Sequence, residues 1–377
     1  MISIYIHIPY CKKACYYCDF HFSAYLKNKA EFLKALEIEI IEAAKSISNN
    51  TVESIYIGGG TPSVLSYEEI AELFSTINKN YNINQEAEIT FEANPDDLTK
   101  EYLQDLSRTQ VNRLSIGIQS FNAEILKFLN RRHDEQQAKN CIRLAREAGF
   151  SNLTIDMIYG IPGLTLDDIA NFIDFAAEND IPHISAYHLG IEKRTVFYRL
   201  MQQNKLQPID EKDSFEQFTF ISERLAALGY EHYEISNFCR NNKYSVHNTR
   251  YWQQKEYIGF GPSAHSFMNH KRFWNVRNNK QYIDNLLNGT GYENIELEEL
   301  DEISSLNDYI ITSLRTKWGT SIVYIDLTFG KNYAVQFIDK CKKFAQSGDL
   351  VSDNRKTVYL TQKGMFISDY ILTELIF

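Results

Sequence analysis

Six short runs of β-forming residues, alternating with helical stretches, constrain the fold of this chain more than any other feature. The runs are almost continuously apolar, as expected for strands that are buried on both faces of a parallel sheet. They span residues 3–9, 54–60, 88–94, 113–120, 152–160 and 183–190. Helical patterns with one apolar face occupy residues 30–44, 67–77, 138–148 and 167–178. The alternation predicts the α/β class, with a partial or complete parallel barrel over residues 1–228.

The carboxyl ends of these runs carry the most unusual residues of the chain. The first run is followed by three cysteines and the second by the sequence GGGTP. The other four end in Glu92 with Asn94, in Gln119, in Asp156, and in His188 with Gly190. Because the active site of a parallel barrel lies at the carboxyl ends of its strands, we expect these residues to share a pocket.

Two further parts follow the predicted barrel. Residues 229–295 are rich in aromatic and polar side chains, and we expect them to form a segment that covers the barrel mouth, together with a connector. Residues 296–377 show helices, a pair of strands and a final helix, a pattern that resembles a winged-helix-like α+β domain. That part has nine Lys and Arg against twelve Asp and Glu, so packing or partner docking is favoured over DNA binding.

Bulk composition excludes several classes of protein. The formal net charge of −10 argues against a general nucleic-acid binder, because phosphate contacts need a cationic surface. No apolar stretch is long enough to cross a bilayer, so at most peripheral membrane contact is expected. The N-terminal sequence MISIYIHIPY has none of the features of a signal peptide, which predicts a cytoplasmic protein with reduced thiols.

The sequence CKKACYYC, residues 11–18, places three cysteines at a CxxxCxxC spacing on one predicted loop. Three thiolates held close together bind metal. One interpretation is zinc, with His7 or His21 as the fourth ligand. The other is an iron–sulfur cluster in which three protein ligands leave one iron open for an added molecule. The spacing alone leaves both interpretations open.

The sequence IGGGTPS, residues 57–63, ends the second run. Its glycines allow bare backbone to approach a ligand closely, although they are also compatible with a tight turn. The segment lacks the GK[ST] of a phosphate-binding loop. A CxxxCxxC loop after the first strand, combined with GGGTP after the second, resembles the radical S-adenosylmethionine (SAM) superfamily. The resemblance implies a partial (β/α)6 barrel and a [4Fe–4S] cluster whose open iron is chelated by SAM.

Further motifs narrow this resemblance. YIHIPYCKKACYYCDF, YIGGGTPS, FEANPDDL, LSIGIQSF, FLNRRHDEQQA, TIDMIYGIPG and YIGFGPSAHS are similar to segments of the coproporphyrinogen dehydrogenase family and of its relatives, the HemW heme chaperones. The similarity runs through nearly the whole chain, including the winged-helix-like part. It implies either oxygen-independent conversion of coproporphyrinogen III to protoporphyrinogen IX, or delivery of heme to an acceptor protein.

The resemblance also implies roles for individual residues. By motif position, the cluster ligands are Cys11, Cys15 and Cys18, and the contacts to cluster-bound SAM are Tyr5, Gly59 and Glu92. Positions that hold a second SAM in the oxidase match Tyr17, Gly60, Thr61, Gln119, Arg131, Asp156 and Gly190. His265 falls at another first-site contact, although the residue type differs there. The side-chain chemistry agrees, since carboxylates accept from ribose hydroxyls or ammonium groups and Arg131 can pair with a carboxylate. Helix caps and salt bridges are the alternative roles.

Two departures favour the chaperone branch over the oxidase. The oxidase has the pattern CxxxCxxCxC, whereas Phe20 stands at the last position here, and its N-terminal extension is absent. HNTRYW, residues 247–252, resembles the HNxxYW signature of the chaperones. We therefore expect heme, or another porphyrin, as the ligand and a heme-acceptor protein as the partner.

An iron porphyrin needs an axial ligand and a flat apolar surface, which HNTRYW offers in His247 and two aromatic residues. We therefore expect His247 to ligate heme, in the segment predicted to cover the barrel mouth. His188, His232, His265 and a cysteine thiolate remain alternative iron ligands. A further alternative is that His247 caps a turn and the aromatic residues only pack.

Overall fold

The computed structural model describes residues 1–47, 50–289, 295–354 and 356–377. Its centre is six parallel strands that follow one another in chain order across a twelve-stranded sheet. They are β1 (Ile2–Ile8), β2 (Thr51–Gly59), β3 (Asn82–Ala93), β4 (Arg113–Gln119), β5 (Asn152–Tyr159) and β6 (His183–His188). Each predicted run thus forms a strand, and their carboxyl ends meet at one side of the sheet.

Helices connect these strands and cover the outer face of the sheet. They are α1 (Lys29–Ala44), α2 (Tyr67–Asn80), α3 (Lys100–Leu106), α4 (Ala123–Phe128), α5 (Glu135–Glu147), α6 (Leu166–Glu178), α7 (Val196–Gln202) and α8 (Glu211–Ala227). Capping boxes begin α2, α5 and α6, where Ser66, Asp134 and Thr165 each accept a backbone N–H. Gly149 follows α5 with φ of +99°, a backbone conformation that glycine adopts without strain.

The sheet continues beyond both ends of the parallel part. Next to β1 lie β9 (Tyr257–Phe260), β10 (His265–Met268), β11 (Lys271–Trp274) and β12 (Glu296–Glu299), and next to β6 lie β8 (Asn237–Cys239) and β7 (Glu231–Glu234). β9 runs parallel to β1, and the other added strands pair antiparallel. Within the described residues no ladder joins β7 to β12, so the barrel is partial. The predicted fold class is confirmed.

The segment 229–295 is more closely joined to the barrel than a cover would be. Five of its strands belong to the main sheet, and Phe238, Ile258 and Phe260 are part of the main hydrophobic core. Helix α10 (Asn279–Leu287) packs against α1. The three-part division stays a prediction, but neither the sheet nor the core breaks at residue 229. Positions 290–294 of this segment lie outside the described residues.

The HNTRYW motif forms helix α9 (Val246–Trp252), which lies away from the barrel mouth. Arg250 donates to Ser3 Oγ and to the main-chain oxygen of Met1, and the His247 ring is 2.9 Å from Ser54 Oγ. Ser3 and Ser54 are near the starts of β1 and β2, whereas the cysteines follow the end of β1. The expectation that this motif covers the mouth is therefore wrong, because α9 closes the amino-terminal end of the barrel.

The C-terminal part has a hydrophobic core of its own. It consists of α11 (Glu302–Leu314), β13 (Thr320–Ser321), α12 (Ile322–Phe329), α13 (Lys331–Gln346), β14 (Leu350–Asp353), β15 (Thr357–Leu360), α14 (Gln362–Phe366) and α15 (Ser368–Leu375). The three strands form an antiparallel sheet in the order β13-β15-β14. The sequence pattern predicted the strand pair but missed β13 and two of the helices. Position 355, between β14 and β15, is outside the described residues. Among the helices described, none has the length and apolar character to cross a bilayer.

Candidate functional site

A cavity of about 870 Å³ opens at the carboxyl ends of the six parallel strands. Its volume lies within the range of small-molecule and cofactor sites, about 300–1,000 Å³. All residues that the sequence linked to a cluster or to SAM line it: Tyr5, Cys11, Cys15, Tyr17, Cys18, Gly59, Gly60, Thr61, Glu92, Gln119, Arg131, Asp156 and Gly190. The structure therefore brings the polar strand ends together into one pocket.

The cavity wall is polar because every second residue of a strand points into a barrel. Register pairs Tyr5 of β1 with Tyr56 of β2, and Glu92 of β3 with Ser115 of β4, so these side chains form rows across the interior. Sequence reasoning missed several lining residues within the strands and at the rim, namely Lys13, Arg113, His183, Tyr187 and Arg277. For the strand residues, the period of two along each run was the available signal.

The cysteine loop is held by main-chain bonds to its surroundings. Cys11 N–H donates to Ser23 O over 3.1 Å, and Tyr16 N–H donates to Leu129 O over 3.3 Å. Asn130, which follows α4, donates from its side chain to Ala14 O over 2.7 Å. These bonds tie the loop to the segment around Ser23 and to the turn after α4, and they fix the course of its main chain.

A buried carboxylate anchors the same loop through charge. Asp97, only 7% exposed, accepts from Lys12 of the loop over 2.6 Å and from Arg132 over 2.9 Å. Its second oxygen accepts from Ser63 just after the glycine segment, over 2.8 Å. Asp97 thus joins the cysteine loop, the glycine segment and the loop that carries Arg131.

The three thiols fit a cluster in their chemistry. Thr61 donates to Cys11 Sγ over 3.3 Å, and Arg131 donates to Cys15 Sγ over 3.4 Å, which are interactions that favour thiolates. Burial raises the pKa of Cys11 to about 12 and that of Cys18 to about 11. Cluster binding must therefore displace protons from these thiols.

The residues proposed as a fourth zinc ligand are engaged elsewhere. His7 is bonded to Tyr5 through Nδ1 over 3.0 Å and to the main-chain oxygen of His21 through Nε2 over 2.8 Å. His21 is bonded to Asn279 through Nε2 over 2.6 Å. In the part of the chain that the structure describes, no three His, Cys, Asp or Glu side chains converge around a single-ion site. The donor set fits three thiolates on a cluster better than a zinc centre with histidine.

The glycine segment packs tightly against the end of β1. Gly59 has φ of +104°, and a Cβ there would lie 2.5 Å from Nδ1 of His7. A Cβ on Gly60 would lie 2.6 Å from the main-chain oxygen of Tyr10. The glycines are therefore needed to admit the His7 ring and the start of the cysteine loop. Their approach to a ligand, which the sequence suggested, stays a prediction.

Two half-buried carboxyl groups, those of Glu92 and Asp156, line the cavity interior close enough to interact. Glu92 accepts from Tyr56 Oη over 2.7 Å and from Gly59 N–H over 3.3 Å. Burial raises its pKa to about 7, and burial also raises the pKa of Asp156 to about 6. Both acids are thus partly protonated near neutral pH, even with Arg113 and Arg131 nearby.

Arg131 spans the space between the carboxylates and the cysteine loop. Its Nη2 donates to Gly117 O over 2.6 Å and to Asn94 Oδ1 over 2.7 Å, while Nη1 reaches Cys15. Gln119 ends β4 with φ of +69°, beside a register shift against β5. Perturbed acids and a fixed cation inside one cleft are typical of a functional site.

His247 does not line this cavity. Its ring is 1% exposed and lies between Tyr56 and Tyr251, with ring centroids 5.2 Å and 5.0 Å away. Tyr56 and Tyr251 line the cavity themselves and lie between it and the buried His247 ring, so the structure does not support His247 as the heme ligand. Of the alternatives, His232 is buried against Phe238 and bonded to Ile235 O. His188 and His265 do line the cavity.

Comparison with known proteins identifies the lineage. The family description "Radical SAM superfamily" matches residues 5–176. The chain is 34% identical to "Heme chaperone HemW" of Bacillus subtilis, covering 98% of both proteins, and 32% identical to the protein of that name from Lactococcus lactis, covering 99% of this chain and 96% of that one. The solved coproporphyrinogen III oxidase (HemN) of Escherichia coli superposes with a TM-score of 0.86 at 24% identity, over 100% of this chain and 90% of that one, which shows a shared fold. The chain therefore belongs to the radical SAM superfamily and, within it, to the HemW family.

Proposed function

We propose that this chain is a heme chaperone, which carries a [4Fe–4S] cluster, binds SAM and heme, and delivers the heme to an acceptor protein. Membership of the radical SAM superfamily implies the cluster and SAM. Heme and the acceptor follow from the names of the relatives. The observation that carries the proposal is that three thiols, two half-buried carboxyl groups and Arg131 line the same cavity. All six cysteines are free thiols, in accord with the proposed cytoplasmic location.

Cys11, Cys15 and Cys18 are the proposed cluster ligands, and Arg131 stabilises the thiolate of Cys15. When bound, the cluster supplies an iron with an open coordination position and a source of one electron. Tyr5, on β1, lines the same cavity as the three cysteines and is bonded to the His7 ring. Thr61 and the loop's main-chain bonds keep the thiols in place for assembly.

SAM is proposed to occupy the strand ends. Tyr5, Gly59 and Glu92 are the proposed contacts of a first molecule, and a second would use Tyr17, Gly60, Thr61, Gln119, Arg131, Asp156 and Gly190. The ammonium and sulfonium groups of SAM carry positive charge, and the carboxylates of Glu92 and Asp156 supply the opposite charge. Arg131 pairs with the carboxylate of the first or of the second SAM molecule.

SAM affinity is expected to rise by about tenfold between pH 5.5 and pH 8. Glu92 and Asp156, with pKa values of about 7 and about 6, are largely neutral at the low end and ionised at the high end, where they attract the cation. Tyr56, Arg113 and Arg131 face the same acids. Calorimetry at pH 6 in buffers of different ionisation enthalpy should detect protons released on binding. Asp156→Asn should reduce the rise in affinity, and the double variant Glu92→Gln with Asp156→Asn should flatten the pH profile. A flat wild-type profile would contradict this role.

An oxidase is the second candidate, and the shared HemN fold is the observation that favours it. Against it stands Phe20, which is 72% exposed at the position of the oxidase's additional cysteine. We expect no repeated conversion of coproporphyrinogen III to protoporphyrinogen IX by the reconstituted protein with SAM and a reductant. We expect heme instead to bind and then to appear in a heme-free cytochrome added as acceptor.

The decisive experiment runs both assays on one anaerobic preparation. Chromatography follows the porphyrinogens, and visible spectra follow heme and its transfer. Cys11→Ala serves as the cluster-deficient control in both assays. Multiple turnovers of coproporphyrinogen would overturn the chaperone proposal, and so would a wild-type protein that leaves the heme spectrum unchanged.

A further inference from the structure

The rim of the cavity combines an aromatic ring, a histidine and two cations, and of these only His265 falls at a position that the family resemblance links to SAM. Phe20, at the end of the cysteine loop, is 72% exposed and lines the opening. His265 begins β10, and Arg277 follows β11; both line the same cavity. Lys13 lies on the cysteine loop, also at the cavity wall. We refer to Lys13, Phe20, His265 and Arg277 as the rim site.

His265 differs from the other histidines of the cavity. His7 and His183 use both ring nitrogens in hydrogen bonds, and His188 uses Nε2 with Ser214. Among the described residues, His265 has no hydrogen-bond partner on either nitrogen. Its ring stacks on Trp274, with centroids 5.4 Å apart and planes 23° from parallel. Partial burial lowers the pKa of His265, which favours the neutral imidazole that ligates metals.

Lys13 and Arg277 form no ion pair with the described residues, although Arg277 lies near enough to Asp19 to lower the pKa of that carboxyl. Arg277 donates to the main-chain oxygen of Asp19, whose carboxylate is taken by Arg194 over 2.9 Å and 3.0 Å. No carboxylate of the described residues lies within ion-pair distance of Arg277 or of Lys13. Asp19, which Arg194 already pairs, and Glu192 also line the cavity, so the attraction for an anionic ligand comes from Lys13 and Arg277, two lining cations that lack an ion pair with any described residue.

Heme requires this combination, because it has an iron that needs an axial ligand, flat apolar faces and two propionates. We propose, on the basis of the proposed function, that heme docks at the rim site with His265 as the axial iron ligand. Phe20 packs on a porphyrin face, and Arg277, with Lys13, pairs with the propionates. The bond from Arg277 to Asp19 O puts the guanidinium beside Phe20, as this docking needs.

The test is an anaerobic titration of the cluster-reconstituted protein with hemin, followed in the Soret region. Partners that only orient a metal ligand are worth about 10–100-fold in affinity, so His265→Ala, which removes the ligand itself, should weaken heme binding by at least about tenfold and shift the Soret band. Added imidazole should restore the spectrum in that variant. His270→Asn is the matched control, since His270 is an exposed histidine on the same hairpin and outside the cavity lining.

The variant Arg277→Gln separates the contribution of the propionate charge from that of the axial ligand His265. It should weaken heme binding about two- to fivefold, as expected for an exposed ion pair, without moving the Soret band. With the dimethyl ester of heme, which lacks propionate charge, the same variant should bind like wild type. Iron content should stay at the wild-type value in both variants, which also verifies that they fold, and SAM affinity should stay at the wild-type value in Arg277→Gln.

The outcomes distinguish the rim site from the proposed function. A wild-type protein that binds heme while His265→Ala binds it with the same affinity and spectrum would overturn the rim site and leave the chaperone proposal standing. A wild-type protein without any heme-dependent spectrum would overturn the chaperone proposal itself. Loss of SAM affinity in Arg277→Gln, with heme binding intact, would assign that cation to SAM instead.

Discussion

Replacing any one of Cys11, Cys15 or Cys18 with alanine is expected to remove most of the iron and sulfide from the anaerobically reconstituted protein. All three thiols line the cavity, and the two nearest histidines are engaged in other hydrogen bonds. Within the described part of the chain, neither His7 nor His21 is therefore free to replace a lost thiolate. Iron and sulfide analysis, with the visible spectrum of the cluster, measures the effect. The wild-type cluster should also change its electronic signal when SAM is added, because one iron stays open.

The matched control is the set of the three remaining cysteines. Cys141 and Cys239 are 1% exposed and Cys341 is 7% exposed, and none of them lines the cavity. A triple alanine variant at these positions should lose some stability through small packing defects and keep its cluster. A triple variant that folds but holds no iron would contradict the assignment of the ligands to the loop.

The central fold was predictable because parallel strands that are buried on both faces leave a plain sequence signal. β1, β4 and β5 agree with the predicted runs to within one residue at each end, and β2 and β6 to within three. β3 begins six residues earlier than predicted, at Asn82, because its first half NINQE is polar and partly exposed. That half gives no apolar pattern to detect.

The added strands β9–β12 could not be predicted from local pattern. Each has four residues, and β9 is fixed by pairing with β1, about 250 positions earlier in the chain. Aromatic content suggested a cover over the mouth, whereas long-range pairing makes this segment part of the sheet. Position along the chain likewise gave no indication that α9 lies at the opposite end of the barrel.

The residues proposed to bind ligands were easier to predict from the sequence than the residues that surround and position them. Every residue that the strand ends and motifs had linked to the cluster or to SAM lines the cavity. Arg113 and His183 were missed because they lie within or at the start of runs that are otherwise apolar, where a single polar residue carries little weight. The sequence predicted that the glycines allow a close approach of the backbone. It could not show that the His7 ring occupies the space beside Gly59.

Gly59→Ala is expected to weaken SAM binding by about tenfold or more and to destabilise the fold more than a glycine substitution elsewhere. The added Cβ would meet the His7 ring at 2.5 Å, a separation that real structures do not tolerate. His7 would have to leave its bonds to Tyr5 and to His21 O, and Gly59 N–H would shift away from Glu92. Calorimetry with SAM and denaturant midpoints measure the two effects, with iron analysis alongside.

Gly149→Ala is the control that separates backbone strain from the clash. Gly149 has φ of +99°, close to the +104° of Gly59, so alanine at either position incurs a similar conformational cost of about 1–2 kcal/mol. A Cβ at Gly149, however, would meet no described atom within 4 Å. Gly149→Ala should therefore lose only the conformational part of the stability and bind SAM normally. Equal losses of stability in the two variants, with SAM affinity intact in both, would mean that Gly59 serves the turn alone and that SAM lies away from the His7 side of the cavity.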